Sequence, residues 1–432
     1  MNCLLSQMPV CFTISQILHV RRFSCTVKYF NEAIDWEYYS SPTNFNAIAA
    51  NVMSRKVSCN LKCVLGQLHE LHNHRNDVEK CQILKEKIAP ELLWFPNLTH
   101  PKVLENNSEK PFLLQKVGKK TAFTYFPTNF ESLTKRLNVL RTKHLGHMSG
   151  NKSYFLKNDL SLLEQALVRC ALSKLVKKRF QMVSVPDVVS QTSFEGCGMR
   201  TDGKHSQVYH IEDSWAPHLC LSGTSEIALA SHFSQKTFQN SNLPLKFCAA
   251  SRCYRAEANK HQKEKGIFRV HHFTKVEMFG ITANDSGHES EELLEEFTEI
   301  QKELYSELGI HFKILEMPPC ELGLPAYHKI DMEAWIPTQK LYGEISSASN
   351  CTDYQSRRLA IKYYNPLSNE TKFCHTVNGT ACAIPRLLIT IFENFQNLDG
   401  SITVPAPLQK YMGKDVIKER FSEKILSTKP IP

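Results

Sequence analysis

The chain contains no stretch approaching about 18 uninterrupted apolar residues, which argues against a membrane span. It also lacks any Cys-x-x-Cys pair, although it carries 15 cysteines. That odd number, scattered without the Cys/His spacing of a zinc site, reads as free thiols in a reducing compartment. Cys59 and Cys63 lie four apart with no second pair to accompany them, so they mark a helix face. No internal repeat or low-complexity run is present. Acidic residues are missing from the start of the chain, the first being Glu32. Before it, Arg21, Arg22 and Lys28 stand among apolar and hydroxyl residues, and the arginines follow the apolar residues 10–20 instead of preceding them. This is the style of a mitochondrial transit peptide over residues 1–30, not of a secretory signal.

What remains is ordinary for a soluble protein: 432 residues, 42% hydrophobic and 22% charged, enough for a full core and two or three domains. The formal net charge is +9. Loss of the first 30 residues leaves roughly +6, which is compatible with a polyanionic partner.

Residues 31–51 are weakly patterned, and Ser40-Ser41-Pro42 breaks any helix there. From Met53, the apolar residues Val57, Leu61, Val64, Leu68 and Leu71 fall at alternating steps of four and three, the seam of a coiled coil. A polar cluster, residues 72–77, suits a turn. Val78, Cys81, Leu84 and Ile88 then resume the stripe as far as Ala89-Pro90. The pattern predicts an antiparallel helical hairpin within 31–95, its arms about 15 to 20 residues and about 25 to 30 Å long. Residues 96–101 form a proline-bounded linker. Helical periodicity covers 160–176 and 291–308. Strands are predicted near 183–189, 246–254, 267–281 and 328–335.

Two arginines carry the chemistry. Arg255 ends a short apolar run in Arg-Ala-Glu, a basic loop follows over 259–265, and Gly266 opens a second run. This predicts an antiparallel hairpin with a charged tip. Arg386 follows Pro385, and Leu387, Leu388, Ile391, Phe392 and Phe395 recur at helical spacing, which places Arg386 in the first turn of a helix. A strand arginine and a helix-start arginine are suited to converge on one polyphosphate.

These two segments resemble motifs 2 and 3 of class II aminoacyl-tRNA synthetases. Thr224-Ser225-Glu226 and the stretch GEISSASNCTDYQSRR narrow the resemblance to seryl-tRNA synthetases, and most closely to the animal mitochondrial type. The resemblance covers residues 96–412. It implies an α+β fold, the class II antiparallel sheet flanked by helices, preceded by a short helical hairpin arm: residues 31–95 the tRNA-binding arm, 96–432 the catalytic core. The arm is shorter than the family's. Pro186 matches the motif 1 proline, which implies a dimer, either a homodimer or a heterodimer with a related seryl-tRNA synthetase.

The resemblance also implies a site. Arg255 would hold the α-phosphate of ATP and the amino acid carboxylate; Arg386 would reach the γ-phosphate and cover one face of adenine, with Phe273 on the other and Glu257 near the adenine end. Glu344 and Ser347 would hold Mg²⁺. Thr224, Glu226, Glu277, Asn378 and Thr380, with Arg255, would form the serine pocket. Lys80, Lys85 and Lys87 on the arm, and Lys263 and Lys265 in the motif 2 loop, would meet tRNA(Ser). The implied activity is a serine–tRNA ligase of the mitochondrial matrix without membrane insertion. Because the arm is short and the motif 2 loop carries lysine and His261 where mitochondrial relatives have arginine and glycine, the alternative is a catalytically inactive paralogue. Such a protein would bind tRNA(Ser) or a synthetase partner.

Overall fold

The computed structural model describes residues 32–106, 108–202, 206–212, 214, 218–257 and 266–419. The segment 1–30, the loop 259–265 and with it Lys263 and Lys265 fall outside the described residues. The chain divides into two units, residues 1–95 and 96–432.

In the first unit, helices α1 (Trp36–Ser40) and α2 (Phe45–Ser54) are separated at Ser41-Pro42. Helices α3 (Leu61–Asn73) and α4 (Val78–Leu92) form the hairpin. Side-chain caps set both starts: Asn60 accepts from the Cys63 amide, and Asp77 from the Lys80 amide. Val64, Leu68, Leu71, Leu84 and Ile88 are buried along the seam. The arms have 13 and 15 residues, or about 20 Å each at 1.5 Å per residue; the second meets the lower end of the predicted 15 to 20 residues and the first falls short of it. Val57 continues the apolar spacing but lies before the cap, and the chain enters the helix only at Leu61. At the other end α4 runs through Pro90 to Leu92.

The second unit is built on an eight-stranded sheet. Its strands are β1 (Phe112–Val117), β2 (Gln181–Met182), β3 (Leu245–Tyr254), β4 (His272–Thr282), β5 (Phe312–Glu316), β6 (His328–Ile336), β7 (Leu341–Thr352) and β8 (His375–Ala383), in the order β1-β5-β6-β7-β8-β4-β3-β2. All pairings are antiparallel except β2 with β3. One face is covered by α5 (Asn158–Lys177), α7 (Glu289–Glu307) and α9 (Ile384–Asn394), with Leu163, Leu167, Phe297, Leu387 and Phe392 buried beneath them. Such side chains each contribute roughly 1.5–3 kcal/mol. The opposite face packs α6 (Ser225–His232) and α8 (Tyr354–Leu359) over Phe247, Ala249 and Phe279.

Two strand expectations need correction. The run from Ile267 is not strand at its start: residues 266–269 form turns and bends, and β4 begins at His272. Segment 183–189 is not one strand either. Gln181–Met182 joins the main sheet, Val188–Ser190 pairs in a separate three-stranded sheet, and Pro186 falls between them. Proline cannot donate a ladder hydrogen bond, so it divides the segment.

Candidate active site

The site lies on the sheet face that α6 and α8 share, and strand register explains why. On β4, Phe273, Lys275 and Glu277 alternate onto that face, opposite Cys253, Ser251 and Ala249 of β3. Arg255 follows β3 in the same phase. A bulge in β8 puts Thr380 opposite Glu277 and Asn378 opposite Phe279. In β7 the extra residue is Ile345: Ser347 stands opposite Asp331 and Glu344 opposite Glu333. Without that bulge an odd spacing would send Glu344 and Ser347 to opposite faces; with it they share one.

At one end is a buried pocket. Thr224 caps α6, its hydroxyl oxygen accepting the Glu226 amide at 3.3 Å and Lys275 Nζ at 2.8 Å. Lys275 also pairs with Glu277, both side chains almost fully buried. Glu226 Oε1 accepts from Gln355 Nε2 at 2.7 Å and from Asn378 Nδ2 at 2.9 Å. Burial, reinforced by the nearby Glu277 charge, pushes the Glu226 carboxyl up to about 7 against the opposing pull of Gln355, Lys275 and Arg255. Thr380 is buried, and its carbonyl accepts from Ser346 Oγ at 2.6 Å and Gln301 Nε2 at 2.9 Å.

At the other end, arginines rest on aromatic rings. Arg255 Cζ lies 5.2 Å from the Phe273 ring centroid. Arg386, in the first turn of α9 beside Pro385, has its Cζ 4.9 Å from the Phe268 centroid. Arg386 Nη1 donates to the Glu344 backbone carbonyl at 3.1 Å and pairs with Glu344 Oε2 at 3.1 Å. Arg255, Glu257, Phe273 and Arg386 line one narrow cleft. A wider cavity of about 240 Å³ adjoins it, sharing Phe268, Arg269 and Arg386 and reaching Glu344. Partial desolvation works against the Glu344 charge, yet Arg386, Lys329 and Arg255 hold its carboxyl below the usual range. Arg269 meets Glu257 at 3.7 Å.

Both arginines thus line a single cleft, as their motifs predict. Four contributors escaped the sequence reading. Lys275 looks like a routine mid-strand residue, and only its place two residues before Glu277 hints at a buried pair. Gln355 sits in the quoted GEISSASNCTDYQSRR stretch without a chemical signature. Asp331 is drawn in by its register opposite Ser347, where it pairs with Lys329 at 2.8 Å. Phe268 is the ring beneath Arg386. On the hairpin arm, Lys80 contacts His74 and Glu70, Lys85 lies 5.4 Å from the Trp36 ring, and Lys87 is exposed.

Among the described residues, one trio lies within metal-binding reach, His100, Glu291 and His328. Both ring nitrogens of His328 already face carboxylates, Glu291 at 2.9 Å and Glu316 at 3.1 Å, and the two imidazoles stack at 4.8 Å. Stacked rings do not aim their nitrogens at a common point, so the trio reads as an ion-paired clamp.

The profile of the tRNA synthetase class II core domain (G, H, P, S and T) matches residues 209–395. The serine–tRNA ligase of Borreliella afzelii is 41% identical over 327 residues, 74% of this chain and 75% of that protein. The chain belongs to the seryl-tRNA synthetase family. A mitochondrial serine–tRNA ligase of Bos taurus is 45% identical over 334 residues, 77% of this chain; the match spans 64% of that relative's length. A seryl-tRNA synthetase from Pyrococcus horikoshii, solved in complex with ATP, superposes with a TM-score of 0.73 at 29% identity, covering 94% of this chain and 93% of that one. Within the seryl-tRNA synthetase family frame, the antiparallel sheet flanked by helices and the preceding helical hairpin both stand as expected.

Proposed function

We propose that this protein is a mitochondrial serine–tRNA ligase of the matrix, which activates serine with ATP and transfers it to tRNA(Ser). The observation that carries this is the adjacency of two unlike ends: an arginine-lined cleft, with Arg255 and Arg386 on its walls, beside a buried pocket holding Glu226.

In the activation step a serine carboxylate oxygen attacks the α-phosphorus, the bond to the bridging oxygen breaks, and pyrophosphate leaves. Little covalent work falls to the protein, so placement and charge neutralisation dominate. Arg255, whose guanidinium donates two parallel hydrogen bonds, suits the carboxylate and α-phosphate. Arg386 suits the outer phosphates, and Phe273 offers the adenine a stacking surface. Glu226 in its charged form accepts the serine ammonium. Thr224, Glu277, Asn378 and Thr380 complete a polar pocket that leaves a partner unsatisfied when alanine replaces serine. Glu344 and Ser347, on one face with Asp331 close by, present oxygen donors of the kind a hard divalent cation takes. Bound there, Mg²⁺ would neutralise phosphate charge.

A dimer is part of the proposal. Phe112, Leu113 and Leu114 are exposed on edge strand β1, as are Leu162 and Val176 on α5, leaving apolar surface for a second copy or a related synthetase chain. The arm lysines and the motif 2 loop lysines would meet the tRNA.

Serine-dependent exchange between ATP and labelled pyrophosphate tests the reading without tRNA. Exchange with serine but not with alanine is the expected result. Its absence, with no ATP binding at millimolar nucleotide, would replace the ligase with the inactive paralogue.

A further inference from the structure

Phe268 lies in the turn between Gly266 and β4, inside the segment that resembles motif 2 but at a position to which the resemblance gives no role. Three contacts give it a task. Its ring carries the Arg386 guanidinium at 4.9 Å. It stands on the wall shared by the narrow cleft and the wider cavity. Its far edge rests on the backbone of Gly343, immediately before Glu344: a Cβ at that position would come 3.0 Å from Phe268 Cε2 and 3.2 Å from Cζ. The next neighbour, Ile336 Cγ1, would be 3.8 Å away, an ordinary contact. The ring is therefore the group that a side chain at position 343 would crowd first. Arg386 is thereby fixed from two sides, by Glu344 through charge at 3.1 Å and by Phe268 through its π face.

We propose that Phe268 is a positioning residue for Arg386, and that Gly343 sets the depth at which its ring lies. The pair would then tune recognition of ATP without touching serine. When a phosphate competes with Glu344 for the guanidinium, the ring keeps that guanidinium in the plane of the cleft wall, so that less side-chain freedom is lost on binding. The inference rests on the ligase reading above.

The test is steady-state pyrophosphate exchange with the full-length protein, varying ATP and serine separately. Losing a cation–π contact corresponds to roughly a threefold to thirtyfold effect. Phe268→Leu is expected to raise KM for ATP by that factor and leave KM for serine unchanged, and Phe268→Tyr to restore most of the loss. Gly343→Ala, which keeps the Phe268 side chain but crowds its ring, is expected to raise KM for ATP in the wild-type background and to add little in the Phe268→Leu background. Equal and additive effects of Gly343→Ala in both backgrounds, or a rise in both KM values together, would overturn the positioning role. So would an unchanged KM for ATP in Phe268→Leu. Wild-type protein without exchange would overturn the ligase reading instead, and the inference with it.

Discussion

The two ends of the cleft hold their charges by different physics. At the Glu226 end, Glu226, Glu277 and Lys275 are almost fully buried, Lys275 tied to Glu277 and Thr224, and Glu226 to Gln355 and Asn378. At the arginine end, the Arg386 and Glu344 side chains are 16% and 42% exposed, and the arginines lean on rings. A buried ion pair contributes little net stability, but losing one partner strands the other. A partly exposed pair can exchange its partner for a phosphate at small cost. The first end is thus part of the fold, and the second is a surface whose ion pair is open to exchange.

Two substitutions break this comparison most directly. Lys275→Met leaves Glu277 without its partner, and the expected loss is about 3–5 kcal/mol of stability, read as a lower denaturation midpoint. A midpoint equal to wild type would mean that the pair is not buried as described. Arg255→Ala should do the opposite: melting stays cooperative and close to wild type, while exchange falls at least about a hundredfold, or roughly 3 kcal/mol of transition-state stabilisation. If both variants lose stability alike, the two ends do not differ.

Protonation sharpens the contrast. The Glu226 carboxyl, raised to about 7 from an ordinary value near 4.5, keeps a proton in the folded chain that the unfolded chain releases. Stability from this group is therefore greatest at low pH and falls as pH rises through that window. If Glu226 receives the serine ammonium, as proposed, binding requires its charged form, and KM for serine should climb as pH drops below about 7, by up to about tenfold per unit, while KM for ATP follows a different profile. Gln355→Ala removes a hydrogen bond to the charged form, worth about 1.5–3 kcal/mol. It should move the serine profile to higher pH. Superimposable profiles for the two substrates would tell against Glu226 as the ammonium partner.

Legibility in the sequence follows the same division. Arg255 and Arg386 stand out because Gly266 and Pro385 punctuate their segments, and their helix and strand contexts follow from periodicity. The partners that fix them do not. Phe268 looks like the start of a strand because Ile267, Phe268, Val270 and Phe273 open the second run after Gly266, yet the chain turns there, and its counterpart Gly343 belongs to a distant strand. That Glu344 and Ser347 share a face depends on Ile345 being the extra residue of a bulge, which a period of two cannot reveal. In the hairpin the apolar seam is plain, but its length is not, since spacing continues through Val57 while the cap at Asn60 decides where the helix begins.

The helical hairpin supplies the gentlest test, because its charges are neither buried nor converged. Three lysines were grouped there by sequence, and their surroundings rank them. Lys80 is occupied with His74 and Glu70, Lys85 lies over Trp36, and Lys87 is exposed. If the hairpin grips tRNA, each lysine that meets a phosphate should contribute about 0.7–0.9 to the slope of log affinity against log salt. Replacing all three by alanine should weaken tRNA binding and flatten that slope, while serine-dependent exchange, which needs no tRNA, stays intact. Among the single variants, Lys87→Ala should account for more of the change than Lys85→Ala, and Lys80→Ala for least, because a side chain already engaged within the hairpin must give up that contact to reach a phosphate. Equal effects from the three would mean that the internal contacts cost nothing to break. An unchanged slope in the triple variant would reduce these lysines to a solvated helix face and move tRNA recognition onto the catalytic unit.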